Sequence, residues 1–257
     1  MNLIHALLLG FVEGITEFLP VSSTGHMILF GKLFAIPQTD FLTSFEIIIQ
    51  LGAIAAAVVL YARTLLSKRF LWKPLLFAFI PTAIIGFLLY KIVKHYLLGN
   101  PFVVVASLCI GGIAFFLIEN AVKRFPRKTT VLEQITPKQA ICIGIGQTFS
   151  MIPGVSRSAA SICSGLLTGL SRELSVEFSF LLAIPTMIAA VGLDVLKSPI
   201  IINTSTVLLL TVGLVTSFVT ALLAIKTFLR FVKNNSFLPF AVYRIVLAGV
   251  FYFFVLT

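Results

Sequence analysis

The sequence predicts an all-α, polytopic integral membrane protein with six transmembrane helices and two re-entrant helical hairpins in an inverted-topology repeat. Hydrophobic residues make up 59% of the 257 residues and charged residues only 11%. With a mean hydropathy of +1.10, this composition excludes an ordinary soluble domain. The apolar runs have two lengths, about 20 residues, which suffices to span a bilayer, and about 10–14 residues, which does not. Their order in the first half recurs in the second.

The first half, residues 1–122, opens with short apolar runs at 2–12 and 27–36 around a polar cluster at 13–26. These runs predict a re-entrant hairpin over about 2–36, which enters and leaves on one side of the membrane. The N-terminus lacks the basic region and cleavage site of a signal peptide, so we expect it in the mature chain. Three long runs predict transmembrane helices at about 42–62, 74–96 and 101–122.

The second half repeats this order after a basic loop at 123–137, which we predict to be cytoplasmic. Short apolar runs at 138–152 and 158–170 flank a polar break and predict a second re-entrant hairpin over about 138–170. The rest of 138–257 carries three more predicted transmembrane helices, at about 175–195, 206–229 and 238–256. We expect the two halves to form one membrane domain.

Individual residues repeat at an offset of 134 positions. The matched pairs are Gly10 with Gly144, Glu13 with Gln147, Thr16 with Ser150, Ser22 with Ser156 and Thr24 with Ser158. A hairpin does not change sides, whereas three crossings do, so the second hairpin must enter from the opposite face. The sequence therefore predicts two polar hairpin tips that meet near the bilayer midplane.

Lysines and arginines predict the orientation, because they concentrate in cytoplasmic loops. Four lie on one predicted side, Lys32, Lys91, Lys94 and Lys197, and thirteen lie on the other: Arg63, Lys68, Arg69, Lys73, Lys123, Arg124, Arg127, Lys128, Lys138, Arg172, Lys226, Arg230 and Lys233. The richer side should be cytoplasmic, which places both termini and the entry to the first hairpin outside. Topology thus accounts for the net charge of +10, and we expect no nucleic-acid partner.

Glu13 and Glu17 are four residues apart and share one helix face. Two carboxylates at membrane depth repel each other, so either one binds a proton or both hold a cation. Ionisable groups inside a membrane segment are usually functional. The alternative is that both glutamates lie at a helix end and face water.

Serines and threonines follow the prolines of both predicted tips, where they suit helix N-caps. Two helix N-termini that converge from opposite faces would form an anion site, and an arginine beside them suits a phosphate or diphosphate. The candidate phosphate-binding residues are Ser22, Thr24, Ser156, Arg157 and Ser158. The alternative is that the serines are caps that satisfy backbone groups, but that explanation does not cover a guanidinium at this depth.

His26 and Ser23 are three residues apart and can share a helix face, with Glu17 nearby. A hydroxyl beside an imidazole that a carboxylate orients is an arrangement that activates a nucleophile or relays a proton. Glu46 and Gln50, one turn apart on the next predicted helix, would either support this site or pack between helices.

These residues carry a resemblance to a known family. The stretch from Glu13 to His26, Glu-Gly-Ile-Thr-Glu-Phe-Leu-Pro-Val-Ser-Ser-Thr-Gly-His, and the stretch from Pro153 to Ser158, Pro-Gly-Val-Ser-Arg-Ser, resemble the two signature motifs of the bacterial undecaprenyl-diphosphate phosphatases. That integral membrane family is linked to bacitracin resistance. The first motif matches throughout, whereas Ala159 and Ser161 stand where the family usually has glycine and threonine.

The resemblance implies hydrolysis of a polyprenyl diphosphate to the monophosphate at the outer face of the bacterial cytoplasmic membrane, with Mg²⁺ or Ca²⁺. By position, Glu13 and Glu17 would hold the metal or act as acid and base, and Ser23 and His26 would be the catalytic pair. Arg157 would stabilise the phosphate charge. The attacking group, Ser23, His26 or water, stays open, as does assembly into a homodimer.

Inverted repeats with broken helices also occur in secondary transporters, so a carrier or flippase of an anionic solute or of the lipid phosphate is the alternative. A carrier needs no carboxylate dyad in one tip alone, and the second half has Gln147 and Met151 where the first has Glu13 and Glu17. A membrane scaffold would leave the buried charges without a reason. The sequence therefore favours the hydrolase.

Overall fold

The computed structural model describes residues 1–97, 100–122, 129–197 and 203–256. Within these ranges the chain is helical between short connections, and its β-type pairing there is an isolated bridge between Thr129 and Leu170. The described residues form ten α-helices: α1 (Leu3–Thr16), α2 (Ser23–Leu33), α3 (Asp40–Ser67), α4 (Trp72–Ile92), α5 (Pro101–Val122), α6 (Pro137–Gln147), α7 (Arg157–Leu167), α8 (Arg172–Lys197), α9 (Thr204–Asn234) and α10 (Leu238–Phe251).

Six helical segments are long and apolar enough to cross a membrane, at the places that hydropathy predicts. They are Asp40–Ser67, Arg69–Ile92, Pro101–Val122, Arg172–Leu196, Thr204–Asn234 and Leu238–Leu256. The protein is therefore an all-helical, multi-pass membrane protein, as predicted. Of the predicted basic loop, Lys123, Arg124, Arg127 and Lys128 lie outside the described residues, as do the side chains of Lys94 and Lys197.

Two helices extend beyond the predicted spans. The spans expected at 42–62 and 206–229 continue as helix to Ser67 and Asn234. A lysine or arginine at the end of an apolar run keeps its alkyl stem in the membrane and extends its charge to the headgroups. The charge therefore marks the end of the apolar core and not the end of the helix.

Two pairs of short helices, α1 with α2 and α6 with α7, occupy the places of the predicted hairpins. The interruption expected over 13–26 is narrower, because α1 continues to Thr16 and α2 begins at Ser23. No proline precedes Pro20, so nothing removes a backbone N–H from the turn that contains Glu13, and that turn stays helical. In the second pair, a 3₁₀ turn at Thr148–Met151 follows α6 before the chain reaches Pro153.

The short helices pack across the two halves of the chain. α1 lies against α9, and α6 lies against α4. Both contacts depend on glycine: a Cβ on Gly10 would stand 2.6 Å from the carbonyl oxygen of Gly213, and one on Gly144 would overlap the carbonyl oxygen of Ala78. Each half thus places its first short helix on the second spanning helix of the other half, and this crossing brings the two helix breaks together.

Candidate active site

A cavity of about 550 Å³ lies between the two helix breaks. Four residues of the first break line it, Glu17, Ser22, Ser23 and Thr24. Six residues of the second break line it as well: Gln147, Ser150, Met151, Gly154, Ser156 and Arg157. Much of the remaining wall is apolar surface from α4 and α8, including Phe79, Ala83, Phe87, Met187, Ala190, Val191 and Leu193. The cavity therefore suits a molecule with a polar head and a hydrocarbon body.

An ion pair joins the two breaks. Arg157 Nη2 lies 3.2 Å from Glu17 Oε1, and the two side chains are 12% and 5% exposed. The other arm of the guanidinium, Nη1, donates to the carbonyl oxygen of Ser179 at 3.0 Å. The Cζ atom of Arg157 lies 5.4 Å from the ring centre of Phe18. The structure therefore brings Arg157 and Glu17 together, although 140 residues separate them.

The second oxygen of Glu17 contacts Ser23. Ser23 Oγ donates a hydrogen bond of 2.8 Å to Glu17 Oε2. One carboxylate thus accepts from a guanidinium and from a hydroxyl, and all three groups line the cavity. Such an arrangement can activate a hydroxyl as a nucleophile, because the carboxylate can accept its proton and the guanidinium holds that carboxylate in place.

His26 has different partners from those that its spacing to Ser23 suggests. Its Nδ1 lies 2.7 Å from the carbonyl oxygen of Ser22, and its Nε2 lies 2.6 Å from the hydroxyl of Tyr243, on α10. A carbonyl oxygen only accepts, so Nδ1 carries hydrogen, and in the neutral ring Nε2 accepts from the tyrosine. His26 is buried, and the residues that line the cavity do not include it.

Glu13 lies behind Glu17. It is 1% exposed, and its Oε1 has no hydrogen-bond partner among the described residues. The carboxyl groups of Glu13 and Glu17 are within hydrogen-bonding distance of each other, and Glu46 and Arg157 lie within electrostatic range of Glu13. Two carboxyl groups this close share a proton or a cation.

The serines that follow the two prolines are N-caps with nearly the same unusual backbone. Ser22 caps α2 with a φ of 73°, and Ser156 caps α7 with a φ of 75°. Each side-chain oxygen accepts the backbone N–H of the residue three positions on, Gly25 or Ala159, at 3.3 Å. In both helices the first N–H groups are left without an acceptor in the described part of the chain, which is the arrangement that binds anions.

The remaining predicted phosphate-binding residues differ in their surroundings. Thr24 lines the cavity and is exposed. Ser158 is buried and donates to the carbonyl oxygen of Leu19 at 2.7 Å, so its hydroxyl joins the two breaks. Ser161 lies one turn further along α7, and its hydroxyl hydrogen-bonds Ser179 Oγ at 2.6 Å. Ser161 therefore supports Ser179, whose carbonyl oxygen accepts from Arg157.

Sequence reasoning missed three residues that contact this site. On α10, Arg244 contacts both breaks and Tyr243 contacts His26. Gln147, noted in the sequence only as the counterpart of Glu13, donates from Nε2 to Thr82 Oγ1 at 3.2 Å. Its Oε1 is buried without a partner among the described residues. A signal for Arg244 was present, since an arginine within an apolar run is as costly as Arg157.

Comparison with known proteins places the chain among membrane proteins of one kind. The family model described as bacitracin resistance protein BacA matches residues 6–250. Relatives named undecaprenyl-diphosphatase include one from Persephonella marina, 48% identical over 256 residues and all of both chains. Another, from Aquifex aeolicus, is 49% identical over 96% of each chain, and one from Wolinella succinogenes is 46% identical over 99% of this chain and 98% of its own. The chain therefore belongs to the bacitracin resistance protein BacA family.

Proposed function

We propose that the chain is an undecaprenyl-diphosphate phosphatase, which hydrolyses the lipid diphosphate to undecaprenyl phosphate and inorganic phosphate. This reaction would return the lipid carrier to cell-wall synthesis and confer bacitracin resistance. The observation that carries the proposal is the Glu17–Arg157 pair, which joins both helix breaks at the wall of a cavity that is otherwise largely apolar. The names of the relatives agree with this substrate and reaction.

The diphosphate head would bind between the two breaks. Arg157 offers a planar fork of donors, and the free N–H groups at the start of α2 and α7 add the positive ends of two helix dipoles. Ser22, Thr24 and Ser156 contribute hydroxyls at the cavity wall. Catalysis of phosphoryl transfer depends mainly on positioning and on neutralising charge on the phosphoryl oxygens, and these groups supply both.

The carboxyl groups suit a divalent cation. Glu13 and Glu17 are hard oxygen donors, and one oxygen of Glu13 is buried without a partner in the described structure. The described residues contain no cluster of three or more His, Cys, Asp or Glu side chains placed for a metal, so water and substrate oxygens would complete the coordination, as is usual for Mg²⁺. Mg²⁺ or Ca²⁺ held by Glu13 and Glu17 would neutralise charge on the bound diphosphate.

Ser23 is the proposed nucleophile. As Ser23 Oγ forms a bond to the terminal phosphorus, its proton passes to Glu17 Oε2, and the bond from that phosphorus to the bridging oxygen breaks to release the polyprenyl phosphate. Water then cleaves the phosphoserine and releases inorganic phosphate. The geometry favours Ser23 over His26, because both ring nitrogens of His26 are bonded. His26 would act by holding Ser22, the cap of the helix that presents Ser23.

The same contacts support a proposal for the membrane arrangement. We propose that α1–α2 and α6–α7 are re-entrant hairpins that enter from opposite faces, so that residues 1–122 and 138–257 form an inverted repeat within one membrane domain. The matched caps at Ser22 and Ser156 and the crossed packing of α1 and α6 support this. With the basic loops on the cytoplasmic side of the inner membrane, the site opens outward and both termini lie outside.

The function is tested by phosphate release from undecaprenyl diphosphate by the purified protein in detergent with Mg²⁺. Ser23→Ala should lower kcat by about 10³-fold or more, and acid quenching of the wild-type reaction should trap phosphate on the protein. Lys68→Ala is the control, since it removes an ion pair whose side chains are 43% and 48% exposed, remote from the cavity. Uptake of labelled solute into proteoliposomes without phosphate release would contradict the proposal.

Sidedness has its own test. The test uses a variant whose three cysteines are replaced by serine. In this background the cysteine introduced by Lys32→Cys should react with a membrane-impermeant maleimide added outside whole cells. The cysteine introduced by Lys138→Cys should react only after the membrane is permeabilised. The reverse labelling pattern would contradict the outward orientation.

The oligomeric state has a separate test, because light scattering of the purified protein distinguishes a monomer from a homodimer.

A further inference from the structure

Arg244 is a buried arginine whose hydrogen-bond partners among the described residues are all backbone carbonyls. Its side chain is 0% exposed, and it forms no ion pair with any described residue. Nη1 donates to the carbonyl oxygens of Val155 at 2.9 Å and Pro20 at 3.4 Å. Nη2 donates to those of Gly154 at 3.0 Å and Ser107 at 3.1 Å. One guanidinium on α10 therefore binds both helix breaks and α5.

Three of these four carbonyls lie within two residues of the two strained N-caps. Gly154 and Val155 come directly before Ser156, and Pro20 lies two residues before Ser22. A positive φ in a residue other than glycine persists only when the surrounding structure fixes it. Both serines adopt the same unfavoured conformation, and Arg244 hydrogen-bonds to backbone close to each of them, so it can help to impose that conformation on both.

The bond to Val155 also sets the direction of an N–H group in the site. A peptide unit is planar, with its C=O and N–H pointing in opposite directions. With the Val155 carbonyl turned towards Arg244, the N–H of Ser156 points away from α10, and Ser156 lines the cavity. This N–H has no acceptor in the described structure and belongs to the start of α7.

We propose that Arg244 is a positioning residue that holds both helix breaks in the conformation that binds diphosphate. It acts from behind the site, because the residues that line the cavity do not include it. This inference rests on the proposed function for the identity of the ligand. It concerns binding geometry, however, and is tested by binding as well as by turnover.

The test compares Arg244→Lys with wild type in calorimetric binding of inorganic pyrophosphate. Lysine keeps the charge but lacks the planar fork that reaches both breaks. We expect pyrophosphate affinity to fall by about tenfold or more, and KM to rise more than kcat falls. Hydrogen exchange should accelerate in residues 20–24 and 153–158 and stay unchanged in α3. The control is Arg172→Lys. It alters an ion pair in which the Arg172 side chain is 26% exposed and the Glu119 side chain is buried. Neither residue lines the cavity, so pyrophosphate affinity should stay unchanged.

A second variant separates positioning from general support. Glycine adopts a positive φ without strain and still caps a helix, so Ser156→Gly added to Arg244→Lys should recover part of the lost affinity. Ser156→Ala added instead should not. Unchanged affinity in Arg244→Lys would overturn the proposal, as would uniformly fast exchange across the whole protein, which would show a general folding role. Wild type that binds pyrophosphate but hydrolyses no lipid diphosphate would contradict the proposed function and leave this inference standing.

Discussion

Removing the ion pair between the two breaks gives the most informative perturbation. Arg157→Met leaves the Glu17 carboxylate without its cation, and Glu17→Gln leaves the guanidinium without its anion. At exposures of 12% and 5%, water screens neither group appreciably, so surface-pair energies do not apply. Breaking a buried pair by removing one partner costs about 3–5 kcal/mol of unfolding free energy.

The double variant Glu17→Gln/Arg157→Met removes both charges, so it should be less destabilised than the sum of the singles. We expect an interaction free energy of about 1–3 kcal/mol. Unfolding in mixed micelles of dodecyl maltoside and SDS, followed by circular dichroism, measures it. Activity should behave differently, because an arginine at a transferring phosphoryl group contributes about 10³–10⁵ in rate. Both singles and the double should be inactive, although the double regains stability.

Two results would refute this reasoning. Strictly additive destabilisation would mean that the two side chains do not interact in the folded protein. Full activity in Arg157→Met would mean that the guanidinium does not stabilise phosphate. The matched control is the exposed pair of Lys68 and Glu133, where hydrogen bonding to Lys68 lowers the pKa of Glu133. Removing that pair should change neither stability nor activity measurably.

Three further predictions concern the residues around the pair. Excess EDTA should abolish turnover and added Mg²⁺ should restore it, whereas undiminished turnover in EDTA would contradict a carboxylate-held cation. Because Glu13→Gln removes a charged metal ligand, it should raise the Mg²⁺ concentration needed for half activity about tenfold or more. Gln147→Leu should raise KM by about 5–30-fold, because the Gln147 Oε1 atom, which has no partner in the described structure, can accept from a bound water or a protonated phosphate oxygen. An unchanged KM would show that Gln147 contacts neither. Tyr243→Phe should lower kcat by about tenfold, since His26 Nε2 loses its 2.6 Å partner, whereas unchanged kcat would mean that Ser22 alone holds the ring.

The orientation of the Gln147 amide follows from its neighbour. Thr82 Oγ1 lies 2.9 Å from the carbonyl oxygen of Gly144, and a carbonyl only accepts, so the hydroxyl hydrogen is used there. Thr82 must then accept from the glutamine, which assigns Nε2 to that contact and leaves Oε1 as the partnerless atom. Thr82→Val, which removes the hydroxyl and keeps the shape, should therefore weaken the effect of Gln147→Leu.

The sequence was most informative where each signal was local. The cost of a polar group in a membrane located both breaks, and the length of each apolar run located the six spans. The spacing of Glu13 and Glu17 on one turn was enough to predict two interacting carboxyl groups. Each of these inferences depends on residues within a few turns of one another.

Sequence reasoning was least informative where a partner lies far along the chain. Ser23 and His26 share a helix, and their spacing suggested a pair, but the imidazole contacts Tyr243, 217 residues away. Periodicity limits the face on which a side chain lies, but packing between helices selects its partner. Arg244 was predictable as an unusual residue by the cost that singled out Arg157, but its partners are backbone carbonyls, which carry no signal in a sequence.

The two breaks have similar backbones and different side chains, and this difference gives the site a direction. Both are capped by a serine near φ 75° and present free N–H groups, so either could bind phosphate. Only the first carries Glu13, Glu17 and Ser23, whereas the second carries Gln147 and Arg157. A diphosphate between them would meet a nucleophile and proton acceptor on one side and neutral or cationic donors on the other. In the proposed mechanism the terminal phosphorus must face Ser23. A carboxylate moved to the opposite side of the site, as in Glu17→Gln/Gln147→Glu, should therefore not restore turnover.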